Sequence, residues 1–358
     1  MSLHDHTYVV LVAGGVGSRL WPTSRTNLPK QFRSFVGEET LFQYAAALVE
    51  QLVPIERIFV VAPGKFVDII REQLPSLPHD NLLVEPAQRD TGPACAFAMA
   101  QVLARDPEAQ VAMLWSDHHV TKPEAFVEVL RNGFTLLEKN PNQFVCVGVK
   151  PTAPETGYGY IQMGKERELI GNQSVYRVKR FVEKPDLATA KAFVSSWEYL
   201  WNPGYNLCGA RHFMNTLYKV APELKEQLEK LGSSDLAALK ETYEALPKQS
   251  IDVLLIQQLP EQYVLPADLG WSDVGSWSSI HDVLSADIPD GMVTRGPVHA
   301  LSSKNSLVYA KDRPIMLVGM EDVVVVDEGD AVLIMRKSAS QQVKTLVEEL
   351  KQSNPELL

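Results

Sequence analysis

The feature that most constrains the fold is an alternation in the first half of the chain. Apolar runs too short for helices recur between segments with helical spacing. Tyr8–Val12, IFVVAP (58–63), LLVEP (82–86), VAMLWS (111–116) and FVCVGV (144–149) are rich in β-branched residues and apolar on both faces. Runs of that kind are strands covered on both sides. Between them, Leu41–Leu52, Thr91–Ala104 and Lys122–Glu138 space their apolar residues as helices do. The rhythm predicts βαβ units, hence a Rossmann-like, mainly parallel sheet with helices on both faces. Ligands of such sheets collect at the carboxyl ends of the strands.

The texture changes twice further on. TGYGYIQM (156–163) and VYRVKRFVEKP (175–185) read as antiparallel or mixed-sheet strands, and a helix follows at Asp186–Ser196. Ala221–Ala245 is a charged helical region, and QYVLPADLGWSDVGSW (262–277) runs from a strand into a loop of small and polar residues. Beyond Asp287, short β runs broken by polar turns fill 299–337, and an amphipathic helix is expected at Gln341–Gln352. Aliphatic spacing in that tract is compatible with the stacked strands of a β-helix. The expected organisation is a large α/β domain, 1–287, and a small C-terminal β domain with its terminal helix, 288–358.

Bulk properties narrow the function classes. A net charge of −10 argues against nucleic acid as a partner, while leaving room for a local basic pocket. Cys95, Cys146 and Cys208 lie far apart in apolar settings with no CxxC pairing, as free buried thiols do. The N-terminal MSLHDHTY lacks a basic region, and no stretch reaches the roughly 18 apolar residues of a membrane span, so no membrane association and a cytoplasmic location are expected.

After the first strand comes AGGVGSRLWPTSRTNLPKQF, from Ala13 to Phe32. A dinucleotide fingerprint would need glycine at Leu20, and a P-loop would need Gly-Lys-Ser/Thr at its end; neither is present. Glycine lets backbone N–H groups approach anionic oxygens, so Ala13, Gly14, Gly15, Gly17 and Ser18 are candidate nucleotide contacts. A helix N-terminus behind them would add a favourable dipole. Arg19 offers a planar fork of donors and Lys30 a mobile point charge, with Pro22 and Pro29 stiffening the link between them.

This segment resembles the signature of the sugar-nucleotide pyrophosphorylases, and its WP-x-S-R and PKQF details are similar to the mannose-1-phosphate guanylyltransferase branch of that family. The resemblance runs over roughly 8–337 and implies a nucleotidyltransferase fold with a divalent cation, Mg²⁺ or another. It implies GTP and mannose 1-phosphate as substrates, giving GDP-mannose and pyrophosphate, and a short form without the isomerase domain of bifunctional relatives. Alternatives are a different sugar 1-phosphate, or a catalytically weak regulatory paralogue that binds GDP-mannose. A homodimer formed through the C-terminal β domain is implied by resemblance alone.

The other motifs follow in order. EPAQRDTGPA (85–94) ends the third strand and opens a helix, with Thr91 expected as its cap; the family uses this region for guanine, which marks Glu85, Arg89, Thr91 and Pro93. Asp90 stands where asparagine is commoner. LWSDHHV (114–120) places Asp117 at a strand end, and the resemblance makes it a metal ligand, although Trp115 replaces the family's proline; His118 and His119 read as packing or supporting groups. ETGYGYI (155–161) resembles the sugar-side loop and marks Gly157 and Tyr158. In FVEKP (181–185), the resemblance assigns Glu183 to the sugar hydroxyls and Lys184 to the sugar phosphate. WNPGYNL (201–207) places Asn202 near the sugar, with Pro203 and Tyr205 departing from the family pattern; QSIDVLL (249–255) keeps its S-I-D. GWSDVGSW (270–277) supplies Asp273 as a second metal carboxylate, suited with Asp117 to a hard, oxygen-seeking cation.

Overall fold

A computed structural model describes residues 5–15, 17–233 and 236–358. Its elements in chain order are β1 (Thr7–Val12), α1 (Leu41–Glu50), β2 (Ile58–Pro63), α2 (Val67–Gln73), β3 (Leu82–Glu85), α3 (Thr91–Arg105), β4 (Gln110–Trp115), β5 (His119–Val120), α4 (Pro123–Lys139) and β6 (Phe144–Val149). Next come β7 (Gly159–Ile170), β8 (Gln173–Glu183), α5 (Leu187–Ser196), β9 (Tyr199–Asn202), β10 (Asn206–Gly209), α6 (Ala210–Val220), α7 (Lys225–Lys230), α8 (Leu236–Ala245), α9 (Ile251–Leu254) and β11 (Tyr263–Ala267). The remainder is β12 (Trp271–Ser272), α10 (Trp277–Leu284), β13 (Val293–Arg295), β14 (Val298–Leu301), β15 (Leu307–Ala310), β16 (Ile315–Val318), β17 (Val323–Asp327), β18 (Val332–Arg336) and α11 (Val343–Ser353).

Contacts divide the chain into two units. The first is Met1–Gly14, Ala45–Ser116 and Val120–Trp271; the second is Gly15–Tyr44, Asp117–His119 and Ser272–Leu358. The first holds a ten-stranded sheet in the order β11-β8-β7-β9-β6-β10-β4-β1-β2-β3, with β11 also paired to β6. The strands β3, β2, β1 and β4 run parallel, as the alternation predicts. β10 enters antiparallel between β4 and β6, and β7 and β8 form an antiparallel pair. α3 is apolar almost all round and lies buried in the core, where Phe97 meets Tyr243 edge-on at 5.9 Å.

In the second unit, β13, β15 and β17 stack in parallel so that Val293, Leu307 and Val324 fall over one another. β14 pairs in parallel with β16, and β18 closes the stack antiparallel to β17. This is the β-helix-like arrangement expected from the aliphatic spacing. Trp277, Phe35, Leu20 and Val274 are buried in its core with Tyr309 and Val326.

Two expectations need correction, and two segments show detail that periodicity does not supply. Behind the glycines lies only a three-residue 3-10 turn, Ser18–Leu20, so no helix dipole of consequence points at that loop. The region 221–245 is broken into a turn, α7 and α8, and Ser234 and Asp235 within it lie outside the described residues. β9 and β10 are strands that periodicity does not announce, because a left-handed Gly204 (φ +77°) turns the chain between them. The terminal helix starts at Val343, after a 3-10 stretch over Lys337–Gln342. Among the described residues no helix is long and apolar enough to cross a membrane.

Candidate active site

The second unit gathers the glycine loop, Lys30, Asp117 and Asp273. Gly15 and Gly17 both have positive φ (+84° and +67°), and Val16 between them lies outside the described residues. Gly17 must lack a side chain for a further reason: a Cβ there would lie 2.8 Å from Lys30 Cγ. The stem of Lys30 therefore packs on the glycine, and its residue is only 9% exposed. A 3-10 turn, Lys30–Phe32, follows Pro29, and buried Phe32 meets Phe42 edge-on at 5.6 Å. Lys30 is thus a fixed charge rather than the mobile one expected. Its ammonium lies 2.9 Å from Asp117 Oδ2 and donates at 2.8 Å to the Asp273 carbonyl.

Burial would raise the Asp117 carboxyl, but the ammonium of Lys30 holds it below the ordinary carboxylate range. Asp117 is therefore ionised. His118 Nε2 lies 3.8 Å from Asp117 Oδ1, and burial depresses the imidazole to about 4, so His118 is neutral near pH 7. His119 stacks against Tyr44 at 4.8 Å, a packing role as expected. Asp273 Oδ1 accepts from the Gly275 N–H at 3.0 Å, while Val274 (φ +46°) turns inward and is fully buried. Trp277 anchors this loop: its indole N–H donates to the Trp21 carbonyl at 3.0 Å, and Phe35 and Tyr309 flank it edge-on. Arg19 is half-buried in the turn after Gly17 and Ser18.

The first unit carries the remaining candidates, with Ala13 buried and Gly14 half-buried just after β1. At the end of β3, Glu85 is buried and accepts from the Tyr243 hydroxyl at 2.8 Å. Burial lifts its carboxyl to about 7 against the opposing pull of that hydrogen bond. The cap of α3 is Asp90, whose carboxylate takes the Thr91 N–H at 2.7 Å. Thr91 is instead the first helical residue, and its hydroxyl accepts from Ile251 N–H at 3.0 Å. Arg89 is half-buried, and Pro93 is buried in the first turn of α3.

Further along, Tyr158 packs edge-on against Trp201 and Trp271, at 5.2 Å from each. Gly157 beside it is exposed with open space where a Cβ would sit, so a ligand can approach the backbone closely. Lys184 adopts a left-handed backbone (φ +45°), its N–H bonds the Tyr158 carbonyl at 3.2 Å, and its ammonium pairs with Glu183. A non-glycine residue held at positive φ is strained, and such strain concentrates where a side chain must be aimed. Asn202 Oδ1 accepts from Gly204 N–H at 3.0 Å, and its amide nitrogen lies 3.4 Å from Asp252 Oδ1.

Asp252 is the residue that the motif assignments left without a role. It is the second residue of the short α9, behind the Ser250 cap and Ile251, and burial followed by the charge of Glu183 raises its carboxyl to about 6. Its S-I-D setting was the signal. Two departures from the family pattern, Trp115 and Tyr205, have structural explanations. Trp115 packs its indole onto Gly204, where any Cβ would collide with it, and Tyr205 is buried against Phe126 edge-on at 5.6 Å. All three cysteines are free and buried.

The chain matches two family models, nucleotidyl transferase over residues 8–289 and a MannoseP isomerase/GMP-like beta-helix domain over 296–350. It is 38% identical to a mannose-1-phosphate guanylyltransferase of Escherichia coli K12, across 96% of this chain and 73% of that protein. The alginate biosynthesis protein AlgA of Pseudomonas aeruginosa is 36% identical over 95% of this chain and 71% of its own. Among solved structures, one from Thermus thermophilus described as a mannose-1-phosphate geranyltransferase superposes with a TM-score of 0.87 at 33% identity, covering 97% of this chain and 99% of that one.

Proposed function

The chain belongs to the nucleotidyl transferase family, and from that premise we propose that it transfers GMP from GTP to α-D-mannose 1-phosphate, giving GDP-mannose and pyrophosphate. The observation that carries this reading is Lys30, a buried cation at the head of a glycine loop and held against an ionised carboxylate. A side chain so placed suits the neutralisation of a polyphosphate.

The chemistry asks for alignment and charge rather than for a base. A phosphate oxygen of the sugar 1-phosphate, already anionic at pH 7, attacks the α-phosphorus of GTP. The bond from that phosphorus to the bridging oxygen of the β-phosphate breaks, and its electron pair leaves with pyrophosphate. In this reading Arg19 and Lys30 neutralise the departing pyrophosphate, and the N–H groups of Ala13, Gly14, Gly15, Gly17 and Ser18 hold its oxygens. Lys184 holds the incoming phosphate, with Glu183, Asn202, Tyr158 and Gly157 on the sugar. Glu85, Arg89, Thr91 and Pro93 serve the guanine.

Asp117 and Asp273 fit a divalent cation. Mg²⁺ needs only one or two carboxylates when substrate phosphates and water complete its shell, so the lack of a group of three or more His, Cys, Asp or Glu ligands among the described residues is no obstacle. Held by Asp117 and Asp273, such an ion would supply positive charge to offset that of the phosphates. The same reading takes the domains as 1–287 and 288–358, the protein as cytoplasmic and the assembly as a homodimer. Pyrophosphate release measured across a grid of nucleoside triphosphates and sugar 1-phosphates with Mg²⁺ tests it. GTP with mannose 1-phosphate should be the best pair. A faster pair corrects the substrates, and GDP-mannose binding without any turnover replaces catalysis with a regulatory role.

A further inference from the structure

One turn in the second unit grips the segment that carries Lys30. It joins β17 to β18 and reads Asp327-Glu328-Gly329-Asp330. Asp327 is buried, pairs with Arg313 through two bonds of 2.6 and 2.8 Å, and takes the Gly329 N–H at 2.8 Å, which fixes the shape of the turn. Glu328 receives Arg33 Nη2 on both oxygens, at 3.0 and 2.9 Å, and the Thr23 hydroxyl at 2.5 Å. Asp330 receives Arg25 at 2.8 Å. Arg25 also donates to the carbonyls of Pro22 and Leu357, the Trp21 indole donates to Leu357 at 2.8 Å, and Thr26 N–H donates to Leu358 at 2.7 Å. Every acid of the turn is therefore engaged, and two of the three hold residues 21–33.

We propose that this turn is a positioning element for the reaction: Glu328 and Asp330, through Arg33, Thr23 and Arg25, set where the Lys30 ammonium stands against Asp117 and Asp273. The inference rests on the nucleotidyl-transfer reading for the role of Lys30. Lysine has a long, flexible stem, so its head is accurately placed only if the backbone on both sides is fixed. Arg25 and Arg33 flank Lys30 on either side, and the turn ties down both. Displacing a catalytic group by about 1 Å can cost about a hundredfold in rate. Arg33 and Glu328 are both less than a third exposed, so their charge-assisted bonds are only partly screened.

Glu328→Gln keeps the shape of the side chain and removes its charge. The expected result is a kcat for pyrophosphate release lowered about tenfold, with KM for GTP and mannose 1-phosphate and the melting temperature close to wild type. Amide exchange should quicken in residues 21–33 but not in β1–β4. Asp330→Asn should act alike and more weakly, and Glu321→Gln, an exposed acid paired with Lys304, should change none of these. Wild-type kcat and exchange in both turn variants would overturn the proposal. So would a rate loss without faster exchange in 21–33, or with faster exchange throughout the chain. If wild type turns over no substrate pair, the nucleotidyl-transfer reading fails; unchanged exchange in both variants then overturns the tether as well, and locally quickened exchange upholds it.

Discussion

Single residues carry opposite consequences of burial. Lys184 is exposed in a strained turn, where a phosphate can reach its ammonium beside Glu183. Lys184→Ala removes one charge-stabilising donor, worth roughly 3–4 kcal/mol of barrier, so kcat should fall about a hundredfold or more while the protein still folds. Steady-state kinetics with a melting curve checks this, and a near-wild-type rate would remove Lys184 from the mechanism. Glu85 is the contrary case. Its carboxyl keeps a proton up to about pH 7 in the folded chain and loses it at an ordinary carboxylate pKa when unfolded. Between those values the native state binds more protons, so stability falls as pH rises through the window. Asp252, raised to about 6, adds the same sign over a narrower range. Glu85→Gln should therefore flatten the decline of melting temperature between pH 5 and 8; an unchanged slope would show that Glu85 ionises normally. EPAQRDTGPA marks Glu85 as important, but the Tyr243 hydroxyl that meets it lies far along the chain and nothing local announces it.

Elements show where local pattern suffices. β1, β2, β4, β6 and α3 lie within a residue or so of their expected bounds, because runs buried on both faces and a long apolar helix have few alternatives. The cap of α3 is Asp90, one position before the expected Thr91, since aspartate and threonine are both good caps and only geometry chooses between them. β9 and β10 are not legible in the sequence, because four-residue strands around a glycine turn are too short to carry a period. That turn depends on Trp115. Gly204→Ala forces a side chain into left-handed backbone and against the indole, which should cost about 2 kcal/mol or more in denaturant unfolding. If Trp115→Leu in the same background recovers none of it, the indole is not the obstacle.

At the scale of the molecule, the first surprise is where residues 15–44 belong. They follow the first strand in sequence, yet they pack with the C-terminal β-helix-like unit, through Trp21 and Phe35 around Trp277 and through the acids of the β17–β18 turn. Lys30, Asp117 and Asp273 meet in that unit from three separated segments. If two carboxylates recruit Mg²⁺ there, chelation should abolish pyrophosphate release and added Mg²⁺ should restore it, with the melting temperature little changed. Activity that survives exhaustive chelation would remove the metal from the mechanism.

The sequence by itself determined the kinds of parts: strands buried on both faces, a glycine loop with two basic residues behind it, and carboxylates at strand and loop ends. These are local properties, set by side-chain chemistry and by spacing along the chain. Only the tertiary structure decided which parts meet. The packing of Lys30 on Gly17, its pairing with Asp117, the tether of Arg25 and Arg33 to the β17–β18 turn, and the proton kept on Glu85 depend on burial and on contacts between distant residues. Such contacts leave no period in the chain, because a single close approach needs only one residue on each side.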